Sequence, residues 1–384
     1  MRDTTGRKAS LATLARLFLR LGTTAFGGPA AHIALLQDEV VRRRRWMSND
    51  EFLDLLGAAN LIPGPNSTEM AIHVGYRQAG WPGLLVAGIC FIVPAMLTTG
   101  AFAWAYVRFG RTPEVGWLLY GVKPVVLGIV AQAIVGLAPR AASSWRLRAL
   151  GIAVALLAWL GVNEIALLLA AGLAAVALRA WRAGAARSLS IALAALAAPS
   201  AGPAAMARIG LLPLFWVFAK IGSVLFGSGY VLLALLQADL VERLGWLTRA
   251  QLVDAIAVGQ LTPGPVFSTA TFVGYLLAGT PGALVATVGI FLPAFVFVAA
   301  SAPFLPRLRA SANAAAFLDG VNVAALALMA VVTIELAQAA IVDVPTALIA
   351  AAAVALLVWR GINSTWLILL GALLGLITRA VAAS

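Results

Sequence analysis

The chain has 384 residues, 62% of them hydrophobic and only 11% charged, with a mean hydropathy of +0.97. No soluble domain of this length hides so much apolar surface, so lipid must be the solvent for much of it. Lys and Arg outnumber Asp and Glu 27 to 15, mostly as Arg clusters between apolar segments; this marks membrane topology, and with no soluble domain to present the clusters, nucleic acid is not an expected partner.

In chain order, the short basic start MRDTTGRKAS leads into an apolar stretch containing Arg16 and Arg20. It has no convincing small-residue cleavage site and reads as a retained first segment. Apolar blocks follow near 11–36, 52–75, 82–107, 115–138, 147–160 and 163–179. After a Gly/Pro/Ser/Ala-rich linker at 181–207, they recur near 209–237, 251–276, 282–304, 314–341, 344–359 and 362–378. Several are long enough to span a bilayer as helices, and their continuous apolarity excludes a barrel. The blocks at 147–160 and 163–179 are short and predict a hairpin around Asn163. The basic start and the run Arg42–Arg45 flank the first block on both sides, which favours a re-entrant segment. Cys90, the single cysteine, lies in an apolar run and rules out an intrachain disulfide or a Cys-based metal site.

The chain repeats itself. FGGPAAHIALLQDEVV at 26–41 returns as FGSGYVLLALLQADLV at 226–241, and the same 200-residue shift carries Trp46 onto Trp246 and Asp54 onto Asp254. It also carries Leu61-Ile62-Pro63-Gly64-Pro65 onto Leu261-Thr262-Pro263-Gly264-Pro265. One residue is then lost, so Gly75-Tyr76 meets Gly274-Tyr275, Pro82-Gly83 meets Pro281-Gly282, and Pro94-Ala95 meets Pro293-Ala294. Identities number about two dozen between 26 and 96, above what biased composition gives by chance. The expected fold is all-α and polytopic: two homologous, pseudo-twofold-related repeats, each of about 5–6 helices (10–13 in total), with broken or re-entrant helices. The expected boundaries are 1–180 for the first repeat, 181–207 for the linker and 208–384 for the second repeat.

Two blocks per repeat are interrupted, at Phe26-Gly27-Gly28-Pro29 and Phe226-Gly227-Ser228-Gly229, and at the two Pro-Gly-Pro sequences. Pro-Gly-Pro removes two backbone donors and breaks a helix. Irregular backbone at membrane depth survives only when buried in protein or lining a wet cavity. The half-helices after the breaks start near Asn66 and Val266; their N–H groups and dipoles favour an anion. Four breaks around one central site suit a compact anion that accepts hydrogen bonds on every side; the plainer alternative is kinks that only fit helices together. Asn60 and Gln260 just before the breaks, and Ser67 just after the first, are further candidate contacts.

Lys123 in LLYGVKPVVLGI is costly at mid-depth without a partner and could supply positive charge; its repeat equivalent is Asn322. Lys220 is a second cation candidate, and snorkelling to an interface is the alternative for both. Glu69 reads as the third helical position of a capping box headed by Asn66, or alternatively as a proton carrier. Asp54 and Asp254 are the other coupling candidates. His32 and His73 have no repeat partners and no acidic cage, so no metal is expected; no HExxH, GxSxG or P-loop appears, so neither an enzyme nor a cofactor is expected.

With these residues in place, the chain resembles the chromate ion transporter family in its long two-domain form, over nearly its whole length. The resemblance rests on the stretch at 26–41, RRWMSNDEFLDLLGAANLIPGPNSTEMAIHVGY, GVKPVVLGI, FGSGYVLLALLQADLVERLGWLT and AVGQLTPGPVFSTATFVGYLLAG. It implies export of chromate through a bacterial inner membrane, driven by the proton-motive force and giving chromate resistance. It also implies competition by sulfate and oppositely oriented halves. Where many relatives carry a Glu-Ala-Gln-Gln-like run after the first Pro-Gly-Pro, this chain reads Asn66-Ser67-Thr68-Glu69. Energetics agrees with export: a dianion leaving a negative interior gains ~4.6 kcal/mol at ~100 mV. The expected partners are a chromate or sulfate oxyanion and the lipid bilayer, and an apolar lateral surface permits a homodimer. Proton-coupled sulfate import and an anion channel are the competing readings.

Overall fold

The computed structural model describes residues 8–26, 28–60, 62–110, 112–182, 210–226, 231–301, 311–360 and 362–383. Among these the chain is all-helical, with fourteen helices and no strand. The breaks set this number, because each divides what would otherwise be one membrane-length helix. The first repeat gives α1 (Leu11–Thr24), α2 (Gly28–Gln37), α3 (Asn49–Ala59), α4 (Asn66–Phe109), α5 (Pro113–Ala141), α6 (Trp145–Trp159) and α7 (Glu164–Arg182). The second gives α8 (Leu211–Val224), α9 (Leu232–Leu236), α10 (Arg249–Leu261), α11 (Thr269–Ser301), α12 (Ala312–Ala340), α13 (Val344–Arg360) and α14 (Ser364–Ala383). Five segments, at 66–109, 113–141, 164–181, 266–301 and 312–340, are long and apolar enough to cross a membrane. The linker expected at 181–207 lies, from 183 onward, outside the described residues.

The repeat is legible in backbone detail. α2 widens into a π-helical turn at Asp38–Arg43, and α9 does the same at Gln237–Arg243. α4 folds back on itself at Ala79 (φ −141°, ψ 22°) and Gly80 (φ 62°, ψ −146°), and α11 at Ala278 (φ −145°, ψ 24°) and Gly279 (φ 64°, ψ −153°). The second residue of each turn occupies a region essentially closed to side chains, which is why glycine stands at both. Gly75 and Gly83 then meet across the first turn, and Gly274 and Gly282 across the second; a Cβ on any of them would strike the opposing carbonyl. The hairpin expected at Asn163 is present: α6 and α7 pack together, and Asn163 Oδ1 caps α7 by accepting from the N–H groups of Ile165 and Ala166 at 3.1 Å each.

The chain divides into two compact units, each built from both repeats. The first comprises Met1–Phe109, Ile209–Gly229 and Val258–Leu308; the second comprises Gly110–Arg208, Tyr230–Ala257 and Arg309–Ser384. In the first unit α1 packs along α4, α8 along α11, and α4 against α11. The contact face of α1 is Leu14, Leu17, Phe18 and Leu21, a helical-period stripe with every member buried. In the second unit α5 packs on α13 and α14, and α12 on α6 and α7. Small residues set these approaches, as is usual where lipid removes the hydrophobic drive between helices. Gly121 of α5 lies against the backbone of Gly371, and Gly320 of α12 lies against that of Ala171. Each repeat therefore supplies the partner that the other needs.

The capping box expected at Asn66–Glu69 is not formed: both carboxylate oxygens of Glu69 lack a hydrogen-bond partner among the described residues. True capping boxes stand at the starts of α3 and α10. Ser48 N–H donates to Glu51 Oε2 at 2.7 Å while Glu51 N–H donates to Ser48 Oγ at 3.1 Å. Thr248 and Gln251 repeat the exchange at 2.9 and 3.2 Å. Ser48→Ala should lower stability by about 1 kcal/mol in detergent-solubilised thermal unfolding. The Ser48 N–H, aided by Arg77, holds the Glu51 carboxyl below its ordinary pKa. Its contribution is therefore full above the ordinary value and is lost as pH falls through the folded one. Glu51→Gln should flatten that acid limb; an unchanged limb would count against this account.

Candidate functional site

Both Pro-Gly-Pro breaks lie in the first unit, and each is tied to the other repeat. Gly64 N–H donates to Leu225 O at 2.7 Å, where α8 ends, and Gly264 N–H donates to Ala25 O at 2.9 Å, where α1 ends. Ala25 and Leu225 are equivalent positions and both are fully buried. The glycines take φ of 146° and 88°, open to glycine and strained for other residues. A broken helix leaves such central N–H groups free to face a ligand. The structure instead satisfies them with carbonyls from the opposite repeat, because an orphan buried donor is costly. The donors left to a ligand are those heading the next helix. Pro65 O already accepts from Thr68 N–H at 2.8 Å and Glu69 N–H at 3.0 Å, so Asn66 and Ser67 carry the first N–H groups of α4 with no carbonyl behind them in the helix.

The two breaks differ chemically. Beside the first lies Glu69, fully buried. Its Oε1 fills the space a Cβ on Gly64 would need. Ser67 and Thr68 are buried here as well, and Asn66 Nδ2 donates to Asn60 Oδ1 at 2.6 Å. His32 Nε2 lies 3.0 Å from Ala25 O, the same carbonyl that holds Gly264. A small cavity at this point is lined by Ala25, His32, Ser67 and Ala71 among apolar neighbours. Beside the second break the polar groups are hydroxyls. Thr99 Oγ1 lies 3.2 Å from Thr262 Oγ1 and 3.1 Å from Ser268 Oγ, all three buried. Thr269, at the repeat position of Glu69, turns its hydroxyl onto Val266 O at 2.8 Å. Gln260 is buried with its Nε2 unpartnered among the described residues. The hydroxyl-rich run at 262–271 was visible in the sequence; the approach of Thr99 from a segment far away was not.

Of the other expected residues, Gly27, Gly227, Ser228 and Gly229 lie outside the described residues, and Gly28 opens α2. Pro63 and Pro263 are half-buried, Pro65 and Pro265 buried, and Lys220 partly buried on α8. Lys123, Asn322 and Asp254 belong to the second unit. There Lys123 Nζ makes an ion pair with Asp254 Oδ1 at 3.1 Å, with side-chain exposures of 18% and 4%. Its equivalent Asn322 has no charge to match, and Asp54, the equivalent of Asp254, is exposed. The repeat is thus symmetric in backbone and asymmetric in charge.

Duplicated, interrupted helices whose buried breaks face helix N-termini define a polytopic membrane transporter. The chromate transporter family model matches residues 12–176 and 212–376, and the chain belongs to that family. The chain is 36% identical over 301 residues to a chromate transport protein of Cupriavidus metallidurans, covering 77% of this chain and 74% of that one. It is 35% identical over 292 residues to a chromate transport protein of Pseudomonas aeruginosa, covering 73% and 70%. A segment of 101 residues is 41% identical to an uncharacterised transporter of Bacillus subtilis, covering 26% of this chain and 57% of that one. No solved structure matches the chain.

Proposed function

We propose that this chain is a secondary transporter that exports chromate through the inner membrane of a bacterium and so confers chromate resistance. The observation that carries this reading is the reciprocal pair of hydrogen bonds, Gly64 to Leu225 and Gly264 to Ala25, which gathers two equivalent helix breaks from opposite repeats into one buried cradle. Within the first unit, the N–H groups of Asn66 and Ser67, with the Gln260 amide and the Ser268 hydroxyl, which accepts from Thr99, supply donors suited to a tetrahedral dianion. The membrane potential alone drives a dianion outward, and relatives named for chromate transport support the choice of ion.

The test is chromate uptake into inside-out vesicles carrying the protein, with and without an imposed potential and with sulfate as competitor. Saturable, potential-dependent accumulation that sulfate blocks is the expected result. Clear sulfate movement without chromate flux would replace the substrate while leaving the site. Flux that neither saturates nor shows trans-stimulation would make the chain an anion channel.

A further inference from the structure

Glu69 is the one acid that the cradle buries completely, and among the described residues neither of its oxygens has a partner. The charged groups on the elements packed around α4 are engaged elsewhere or lie on exposed faces. From α1 and the π-helical turn, Arg20 pairs with Glu39 at 2.5 Å, and Arg43 and Arg44 pair with the same carboxylate at 3.1 and 3.3 Å. Arg16 of α1 is exposed, and Asp38 pairs with Arg43 at 2.7 Å. From α3, Glu51 is held by Arg77 of α4 itself, and Asp50 and Asp54 are exposed. His32 of α2 is committed to Ala25 O, and α11 and the turn at 266–268 contribute no Asp, Glu, Lys, Arg or His. His73, one turn along α4, is buried with its Nε2 unpartnered among the described residues. Lys220 lies on α8, which packs on α11.

A bare carboxylate and a dianion repel each other strongly in so dry a place, whereas a neutral carboxylic acid is a hydrogen-bond donor. We propose that Glu69 is the proton site of the cradle, and that the oxyanion binds together with a proton on Glu69. This rests on the reading of the cradle as an oxyanion site. One proton passes from water to a Glu69 oxygen, the O–H donates to an oxyanion oxygen, and no bond within the oxyanion changes. The coupling has a definite sign: proton and oxyanion occupy the cradle together and cross in the same direction, so each cycle carries one net negative charge instead of two. At the second break the equivalent position is Thr269, whose hydroxyl donates to Val266 O and does not titrate, so only the first break is sensitive to pH.

The test is calorimetric binding to the purified full chain over a pH series, in buffers of differing ionisation enthalpy. Sulfate is the probe because it stays a dianion throughout, with chromate repeated at alkaline pH, where it too is fully a dianion. The wild type should take up one proton per anion where Glu69 is ionised, and its affinity should fall about tenfold per pH unit there. Glu69→Gln, which keeps a donor and cannot titrate, should bind with no proton uptake and a flat pH profile. Anion binding without proton uptake in the wild type, or uptake that persists in Glu69→Gln, overturns the proposal while leaving the oxyanion site intact. Should Glu69→Gln fail to fold, the buffer dependence of the wild type still decides. Binding of neither ion at any pH would overturn the cradle itself, and this proposal with it.

Discussion

Gly264→Val is expected to abolish saturable chromate flux while leaving a chain that still inserts in the membrane. At φ 88° a β-branched residue is strained by about 1–3 kcal/mol. Its Cβ would also lie 2.7 Å from Ala95 Cβ and 3.1 Å from Gly22 O, both on tightly packed helices of the other repeat. Overpacking of that kind adds roughly 1–3 kcal/mol, and relief by backbone movement pulls the Gly264 N–H away from Ala25 O. Gly161→Ala is the matched control: that glycine also has a positive φ, 80°, but a Cβ there meets nothing within 4 Å. Flux in vesicles, normalised to inserted protein, checks both. Wild-type flux from Gly264→Val would mean that the break is a kink with no part in transport.

Lys123→Ala should strongly destabilise the second unit. It strips the cation from a carboxylate that is only 4% exposed, and breaking a buried pair this way costs about 3–5 kcal/mol. Removing both partners with apolar groups of similar volume, Lys123→Met with Asp254→Leu, should recover most of the loss, since a matched apolar pair escapes the desolvation penalty. A double-mutant cycle on thermal unfolding measures this. A coupling energy below about 0.5 kcal/mol would place the pair among contacts that add nothing.

Legibility followed the range of the physics. The Pro-Gly-Pro breaks and the hairpin at Asn163 were readable because Pro, Gly and Asn act on their own backbone within a few residues. Of the two readings of Glu69, the capping box fails: Asn66–Glu69 has suitable spacing, but Ser48–Glu51 and Thr248–Gln251 carry the pattern in both repeats and form the bonds. The repeat itself held that signal, since a cap is more credible where its equivalent also reads as one. The partners of Lys123 and of the two glycines were not readable, because side chains brought together from distant segments leave no local mark. Nor does periodicity show which acid is exposed and which is buried; Asp54 and Asp254 look alike in sequence and end in opposite environments.

The reciprocal glycine bonds also constrain biogenesis. When the first repeat leaves the ribosome, the Gly64 N–H has no acceptor, because Leu225 has yet to be synthesised, and the Ala25 carbonyl waits longer still for Gly264. The early half must therefore persist in the bilayer as an unfinished insertion intermediate, its break wetted or guarded by other membrane components. Final assembly of the first unit awaits the end of α11, a late, non-local closure that gives quality-control proteases their window.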